Sequence, residues 1–505
     1  MARSASGARW WALGALTLAV LTIGFDITIM NVALPTLSTA LATGTDGLQW
    51  IVNAYILMFA SLMLPIGAVA DRYGRRAVLL AGLVVFACAS LLAAWADDVT
   101  WVVIARAALG VGAAMIMPTT LAAIAVLFDP AERGKALSIV VMGMGAGIPL
   151  GPIIGGYLLN HFWWGSIFLV NVPIIVAALA AVAVLLPESR DPEPRRADLV
   201  GGLLSIVGLL AFVWGAIEAP DRGWTDPLVL TALLGAVVVL VGFLWWENRV
   251  EHPMIDLALF RDRQFSWGNA NATLVSFALF GLLFVVPLYL QFVLGHDAFN
   301  TGLRLLPLIG GFVAGVGVGT RVANKIGHRI PITVGLALTA VGLGLGATTD
   351  IGSGFGHAAT WFVIAGLGIG SALTPSMDAV LAVLPPERAG SGTAITMTLR
   401  QAGGALGVAL LGSLLSGIYI DKVNTTGLPP AAATAAHDSL GGALAVAQRL
   451  GLPNLAESAN TAYIDGMNIV LITCAAISLL GAVLTFLFMP RSTAQAATAH
   501  SPVHL

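Results

Sequence analysis

Fourteen apolar runs of about 20 residues constrain this chain more than any motif does, because a helix needs about that length to cross a hydrocarbon core ~30 Å thick. Broken at its charged and Pro/Gly clusters, the sequence gives runs at 11–34, 49–70, 77–95, 101–122, 136–158, 166–186, 199–218, 227–246, 267–289, 301–321, 330–348, 357–379, 392–417 and 464–489. In lipid every backbone N–H and C=O must find a partner within the chain, so runs of this kind fold as helices. The expected fold class is all-α integral membrane. Composition agrees: 10% of the 505 residues are charged and 58% hydrophobic, where soluble domains carry about 25% charged residues. Mean hydropathy is +0.91. The 24 Lys+Arg and 26 Asp+Glu leave a net charge of −2, which gives no basic face for a nucleic-acid partner. Cys88 and Cys474 both lie in apolar runs and read as small core residues. The N-terminus imitates a secretory signal, with Arg3 and Arg9 before an apolar run. That run continues past Asp26 with no small-residue cleavage site, so it reads as an uncleaved first span.

Charge asymmetry tests the count. With the N-terminus in the cytoplasm, eighteen of the 24 basic residues fall in cytoplasmic segments, among them Arg72, Arg75, Arg76, Arg195, Arg196 and Arg388. Three fall outside (Arg222, Lys422, Arg449), and three lie within spans (Arg106, Arg304, Arg400). Such a bias is what the positive-inside rule expects, and a missed or invented helix would scramble it. Both termini are then cytoplasmic. The connection 419–463 is external; its stretches 431–436 and 441–450 allow either short helices or an irregular loop.

An internal repeat supplies the domain plan. Gly67-Ala-Val-Ala-Asp71-Arg72-Tyr73-Gly74-Arg75-Arg76 follows the second span, and Thr320-Arg321-Val-Ala-Asn324-Lys325-Ile-Gly327-His328-Arg329 follows the tenth, at an offset of 253. Repeats of this kind mark transporters built of two half-bundles. The expected division is a six-helix bundle over 1–187, a linker and two inserted helices over 188–266, a second six-helix bundle over 267–490 and a tail over 491–505. Gly74 permits a tight turn, and the arginines anchor it at an anionic face. Asp71 pairs with those arginines or with a facing helix N-terminus; the arginines serve equally as topological anchors.

Taken in order, five motifs give the chain a family resemblance: Asp26-Ile-Thr28-Ile-Met-Asn31-Val-Ala-Leu34-Pro35, the 67–76 loop, Arg106-Ala-Ala-Leu-Gly110-Val-Gly112, Gly147-Ile-Pro149-Leu-Gly151-Pro152-Ile-Ile-Gly155-Gly156 and Phe168-Leu-Val-Asn171-Val-Pro173. The sequence resembles the major facilitator superfamily, in particular its fourteen-span drug:proton antiporters of the Emr/Qac type, over nearly its whole length. The resemblance implies a 6+2+6 arrangement around a central cavity lined by spans one and four, with no cofactor and a proton gradient as the driving force. It implies export rather than import, because the glycine motif of span five belongs to exporters in that family. Two departures stand out. The external arginine common before span six is replaced in Trp163-Trp164-Gly165-Ser166, and the second acidic residue found in the tenth span of members that handle divalent cations is absent, with Gly311-Phe312 at that place.

Of the acidic residues only Asp26 lies deep inside a run, and intramembrane ionisable groups are functional by default. Counting helical rise, Asp26 sits ~22 Å from the inner end of span one and Arg106 ~8 Å below the outer edge of span four, so the two share a depth. A carboxylate beside a guanidinium makes a proton site: burial favours the neutral acid, the cation favours the anion, and a substrate cation tips the balance. The competing reading is a permanent ion pair that locks the helices. Asn53 stands at similar depth and is either a bonding partner of substrate or of Asp26, or interhelical glue. Asp378 and Arg400 form a candidate polar pair near the cytoplasmic end, for gating or as snorkelling anchors. Gly143, Gly147, Gly151 and Gly155 recur every fourth residue and give span five a small face, bent by Pro149 and Pro152 and extended by Gly156.

Gly134-Lys135 lacks the preceding glycine of a P-loop, which argues against ATP-driven transport in cis, and no His-Glu-x-x-His or metal-ligating cluster appears. The expected function is efflux of lipophilic, cationic drugs, antiseptics and antibiotics by a monomer in the cytoplasmic membrane, in contact with lipids and protons. Export of a lipid or endogenous metabolite on the same fold stays open, as does the remote case of a membrane enzyme or sensor.

Overall fold

The computed structural model describes residues 2–190, 198–251, 253, 255–384 and 389–491. Arg195, Arg196 and Arg388, which contribute to the charge count, lie outside the described residues. Among the described residues, fourteen helices are long and apolar enough to cross a membrane: Arg9–Ala40, Thr45–Tyr73, Arg75–Ala94, Val99–Ile124, Met142–His161, Ser166–Leu185, Leu199–Arg222, Pro227–Glu247, Arg263–Val293, Ala298–Ile326, Arg329–Gly346, Phe355–Leu381, Gly392–Lys422 and Pro453–Phe488. They are spans one to fourteen below. Each coincides with one apolar run of the sequence, and no strand occurs among the described residues. The fold is all-α and the protein crosses the membrane many times.

Local chemistry sets the span ends. Asp98 caps span four by accepting from the Trp101 backbone N–H at 3.0 Å, satisfying one of the unpaired donors of the first turn. Gly74 ends span two at φ 120°, and Gly327 closes span ten at φ 84°. Both dihedrals are ones that side-chain-bearing residues rarely adopt, so the two copies of the repeated loop turn by the same device. Pro287 removes one ladder bond in span nine, and the helix relaxes into a π-turn at Tyr289–Val293. The connection between spans thirteen and fourteen holds two short helices, Pro430–Asp438 and Leu440–Leu450, the second capped by the Ser439 hydroxyl accepting from Gly442 N–H at 3.0 Å.

The chain forms two compact units: one of Met1–Asp256, Phe280–Arg304 and Gly404–Gly466, the other of Leu257–Leu279, Leu305–Gly403 and Met467–Leu505. Within the first, the Gln49 amide donates to the Val408 and Ala409 carbonyls at 3.0 and 2.9 Å. The Gln291 amide donates to Val32 O and the Tyr463 hydroxyl to Val285 O, each at 2.8 Å. Leu440 and Ala443 of this helical hairpin are buried, and Tyr419 donates to Ala436 O at 2.9 Å. The second unit is built on glycine contacts. A Cβ on Gly311 would stand 3.1 Å from Leu367 N, and one on Gly319 2.8 Å from the Ser371 Cα. Gly311 thus has no room for a side chain.

Candidate functional site

Asp26 and Arg106, on spans one and four, meet in the first unit. Arg106 Nη1 lies 2.5 Å from Asp26 Oδ2, and the side chains are 1% and 0% exposed, respectively. Arg106 Nε donates to the Ile51 carbonyl at 3.0 Å, and its guanidinium stacks on the Tyr55 ring, 4.4 Å from the centroid. Asn171 Nδ2 of span six donates to Asp26 Oδ1 at 3.3 Å. Each carboxylate oxygen therefore has a donor, and the guanidinium is held by a carboxylate, a carbonyl and an aromatic face. Ile51 and Tyr55 are four residues apart on span two, hence on one side of it. Asn53, midway between them, points elsewhere: it is fully buried, and neither its oxygen nor its nitrogen has a partner. The amide beside Asp26 is thus Asn171 and not Asn53. Asn171 stands in one of the sequence motifs, but an amide in a span is too inexpensive to single itself out as a carboxylate does.

The glycine face of span five positions this carboxylate. Cβ atoms built on Gly143, Gly151 and Gly155 would run into Thr17, Thr28 and the Ile29 side chain. One on Gly147 would lie 2.5 Å from Phe25 N and 2.6 Å from Gly24 C, the backbone immediately before Asp26. Thr28 Oγ1 lies 3.0 Å from the Gly147 carbonyl, close enough to donate across the two helices. Span five thus packs backbone to backbone on the helix that carries Asp26. Pro149 lies within this helix and is half-buried. Further along, a Cβ on Gly156 would stand 2.5 Å from the Ala298 carbonyl, and one on Gly302 2.7 Å from the Pro152 carbonyl carbon. The first turns of span ten therefore sit against the end of the same motif.

The 67–76 loop is clasped from span six. Asp71 Oδ1 lies 2.8 Å from Arg75 Nη2 and 2.9 Å from its Nε. Arg75 N–H donates to the Ser189 carbonyl at 3.0 Å, and Arg76 N–H to Glu188 Oε1 at 3.1 Å. The Arg76 guanidinium donates to the Ala183 carbonyl. A Cβ on Gly74 would lie 2.6 Å from Glu188 Oε1, so the turn is packed as well as bent. Arg72 lies over the Tyr73 ring at 5.6 Å, and Gly67 has only an ordinary contact with Pro118. Glu188, read in the sequence as part of a polar linker, is the loop's acidic partner.

Asp378 and Arg400 do not pair. Arg400 Nε donates to Ser276 Oγ at 3.2 Å, and Nη1 lies 3.4 and 3.6 Å from the sulfurs of Met377 and Met397. The titratable neighbour of Asp378 is His328, whose imidazole burial holds below its ordinary value while the Asp378 carboxylate opposes. Met377 and Asp378 are consecutive on span twelve and so diverge by about 100°, which sends the acid away from Arg400. No group of His, Cys, Asp and Glu among the described residues could hold a metal ion.

Fourteen spans that hold a sealed carboxylate–guanidinium pair against a glycine-faced helix make a membrane transporter by build. The sequence model of the Major Facilitator Superfamily matches residues 16–408, and the chain belongs to that family. It is 34% identical over 493 residues to the tetracenomycin C resistance and export protein of Streptomyces glaucescens, covering 95% of this chain and 92% of that protein. It is 35% identical to the multidrug efflux pump LfrA of Mycolicibacterium smegmatis, covering 91% and 92%. Identity to the methyl viologen resistance protein SmvA of Salmonella typhimurium is 32%, covering 88% and 90%. Among solved structures, a bacterial homologue of the human lysosomal transporter Spinster, inward-facing and occupied, matches with a TM-score of 0.69 at 18% identity over 96% of this chain and 97% of that one. A D-xylose–proton symporter matches with a TM-score of 0.60 at 15% identity, covering 96% and 99%.

Proposed function

We propose that this chain is a secondary multidrug exporter of the cytoplasmic membrane, moving lipophilic drugs, antiseptics and antibiotics outward in exchange for protons carried by Asp26. The observation that carries the reading is the Asp26–Arg106 bond, 2.5 Å long, between side chains with essentially no exposure. Resistance and export functions in the names of relatives that match nearly end to end support the choice of cargo. Both termini are cytoplasmic, as the charge asymmetry argues, and the protein acts as a monomer without a cofactor. Residues 1–187 and 267–490 act as the two halves, with spans seven and eight as an inserted pair.

In the proposed cycle the carboxylate and guanidinium hold spans one and four together. A proton arriving from outside adds to an Asp26 oxygen, removes one charge of the pair and weakens the charge-assisted bond to Arg106. Released to the inside, the proton leaves a carboxylate that Arg106, always charged, takes up again. Asn171 and the Ile51 carbonyl keep the two side chains oriented in either state. The glycine face of span five transmits the change, because its backbone rests on Gly24 and Phe25 next to the carboxylate. The Asp71–Arg75 pair and the Glu188 clasp hold the cytoplasmic loop and release it when the halves rock.

A direct test is drug-induced proton release from the purified protein in proteoliposomes, screened with the drug to which expression gives the greatest resistance in an efflux-deficient host. Release of protons on drug addition, abolished in Asp26→Asn, is the expected result. Drug flux with no proton movement at any imposed gradient would overturn the coupling.

A further inference from the structure

Arg400 stands well inside span thirteen, in the second unit, and the partners described for it are all neutral. Its contacts are a hydroxyl, Ser276 Oγ at 3.2 Å, and two thioethers, Met377 at 3.4 Å and Met397 at 3.6 Å. The other intramembrane guanidinium described above, Arg106, has its carboxylate. Asp378, the nearest acid in sequence to Met377, faces His328 instead. Arg400 begins about 12 Å into span thirteen, counted from Gly392 at 1.5 Å per residue. The residue as a whole is half-buried.

A guanidinium cannot shed its charge in a protein, and a charge withdrawn from water without a partner is costly. A snorkelling anchor would direct the head toward the nearer interface; this one is turned toward Ser276 of span nine. The neighbouring chemistry completes a receptor. Met397, Arg400 and Gln401 share one face of span thirteen at i, i+3 and i+4. The Gln401 Nε2 donor is buried with no partner. Two methionines give polarisable walls that adapt to apolar bodies of different shape, while the planar fork of the guanidinium fits an oxyanion with two parallel bonds.

We propose that Arg400, with Gln401 and the Met377 and Met397 side chains, forms a binding site for an oxyanion carried on a lipophilic body, the carboxylate of an acidic drug being its cargo form. This deepens the export reading and rests on it: the cargo then includes lipophilic acids. The cationic preference expected from a lone carboxylate does not follow from the geometry, since Asp26 is already fully engaged. An anionic lipid headgroup offers the same chemistry and is the other source of such an oxyanion.

The test is equilibrium binding without any proton gradient, so its failure is separate from a failure of coupling. Pyrenebutyrate and pyrenebutanol, an acid and a neutral alcohol on the same ring, are titrated by fluorescence against the full chain in phosphatidylcholine nanodiscs. The expected result is that the acid binds about tenfold tighter or better, as suits a charge-assisted bidentate bond. Arg400→Gln levels the two by weakening the acid, and an unaltered thermal midpoint of the variant in the nanodiscs reports that it is folded. Arg400→Lys keeps part of the preference and serves if the glutamine variant does not fold. Repeating the titration in phosphatidylglycerol nanodiscs separates the sources: a preference that survives assigns the site to acidic cargo, and one that disappears assigns it to the lipid phosphate. Equal binding of acid and alcohol to the unaltered protein in phosphatidylcholine, or a preference that persists in Arg400→Gln, would overturn the proposal.

Discussion

Gly147→Ala is the smallest perturbation that reaches the site through packing alone. The added Cβ would stand 2.5 Å from Phe25 N, where ordinary contact begins at 3.4 Å. Span one must therefore withdraw by about 1 Å, since backbone rather than a flexible side-chain tip is in the way. The next residue is Asp26, and a shift of that size pulls its carboxylate out of the 2.5 Å bond to Arg106. Overpacking of this kind costs about 1–3 kcal/mol, and a misplacement of about 1 Å at a reacting group costs about 100-fold in rate. Gly145, two residues away on the same helix, has nothing within 4 Å of its Cβ position and serves as the internal control. The assay is the initial rate of proton-driven drug uptake into inverted vesicles, normalised to protein in the membrane. Gly147→Ala should fall by one to two orders of magnitude, and Gly145→Ala should match the unaltered protein. A Gly147→Ala rate equal to that of Gly145→Ala would refute the claim that the glycine face positions the carboxylate.

Removing one member of the buried pair leaves the other unpaired, at about 3–5 kcal/mol. Arg106→Ala should therefore lose both folded yield and transport, Arg106→Lys should lose less, and Asp26→Asn combined with Arg106→Gln should recover yield but not coupled transport. Detergent thermostability measured beside vesicle uptake checks all three. In the helical hairpin 430–450, partial burial and the Asp46 carboxylate raise the Asp438 acid above the ordinary carboxylate range, against an opposing effect of His437. A raised acid favours the packed hairpin when protonated, so exchange protection over 430–450 should fall as pH rises from the ordinary carboxylate range through the elevated value. Asp438→Asn should flatten that dependence. Cysteine tags in 425–460 should react with an impermeant reagent in intact cells and tags in 187–198 should not, which the opposite pattern would contradict.

Much of this arrangement is legible in sequence because the membrane makes some choices expensive. Apolar length gives the spans, since a run of about 20 apolar residues satisfies its own backbone in lipid as a helix. Asp26 and Arg106 stand out because ionisable residues in spans are rare, and the rise per residue sets them at one depth. Gly74 and Gly327 repeat a turn that needs positive φ. What stays hidden depends on which faces meet. Asn171 rather than Asn53 reaches Asp26, because helical rotation sends Asn53 away from the face shared by Ile51 and Tyr55. Glu188 reads as linker until the turn at Gly74 brings it against Arg76. Arg400 is visible as a charge, but its lack of an acidic neighbour among the described residues is a property of three packed helices. The sequence of 431–436 and 441–450 is compatible with helix or loop; Ser439 as a cap and the burial of Leu440 and Ala443 decide for helix.

The central claim is that the Asp26 carboxyl carries the coupled proton, and Asp26→Asn tests it most directly. The amide keeps the size of the side chain and can still bond Arg106 or Asn171 through its oxygen, yet it neither binds nor releases a proton. The measurement is drug accumulation against a gradient in proteoliposomes with an imposed pH difference, using the variant at the expression level of the unaltered protein. The account predicts that uphill transport is lost while drug binding persists, and that Asp26→Glu retains part of the flux. Full proton-driven accumulation by well-expressed Asp26→Asn would contradict it.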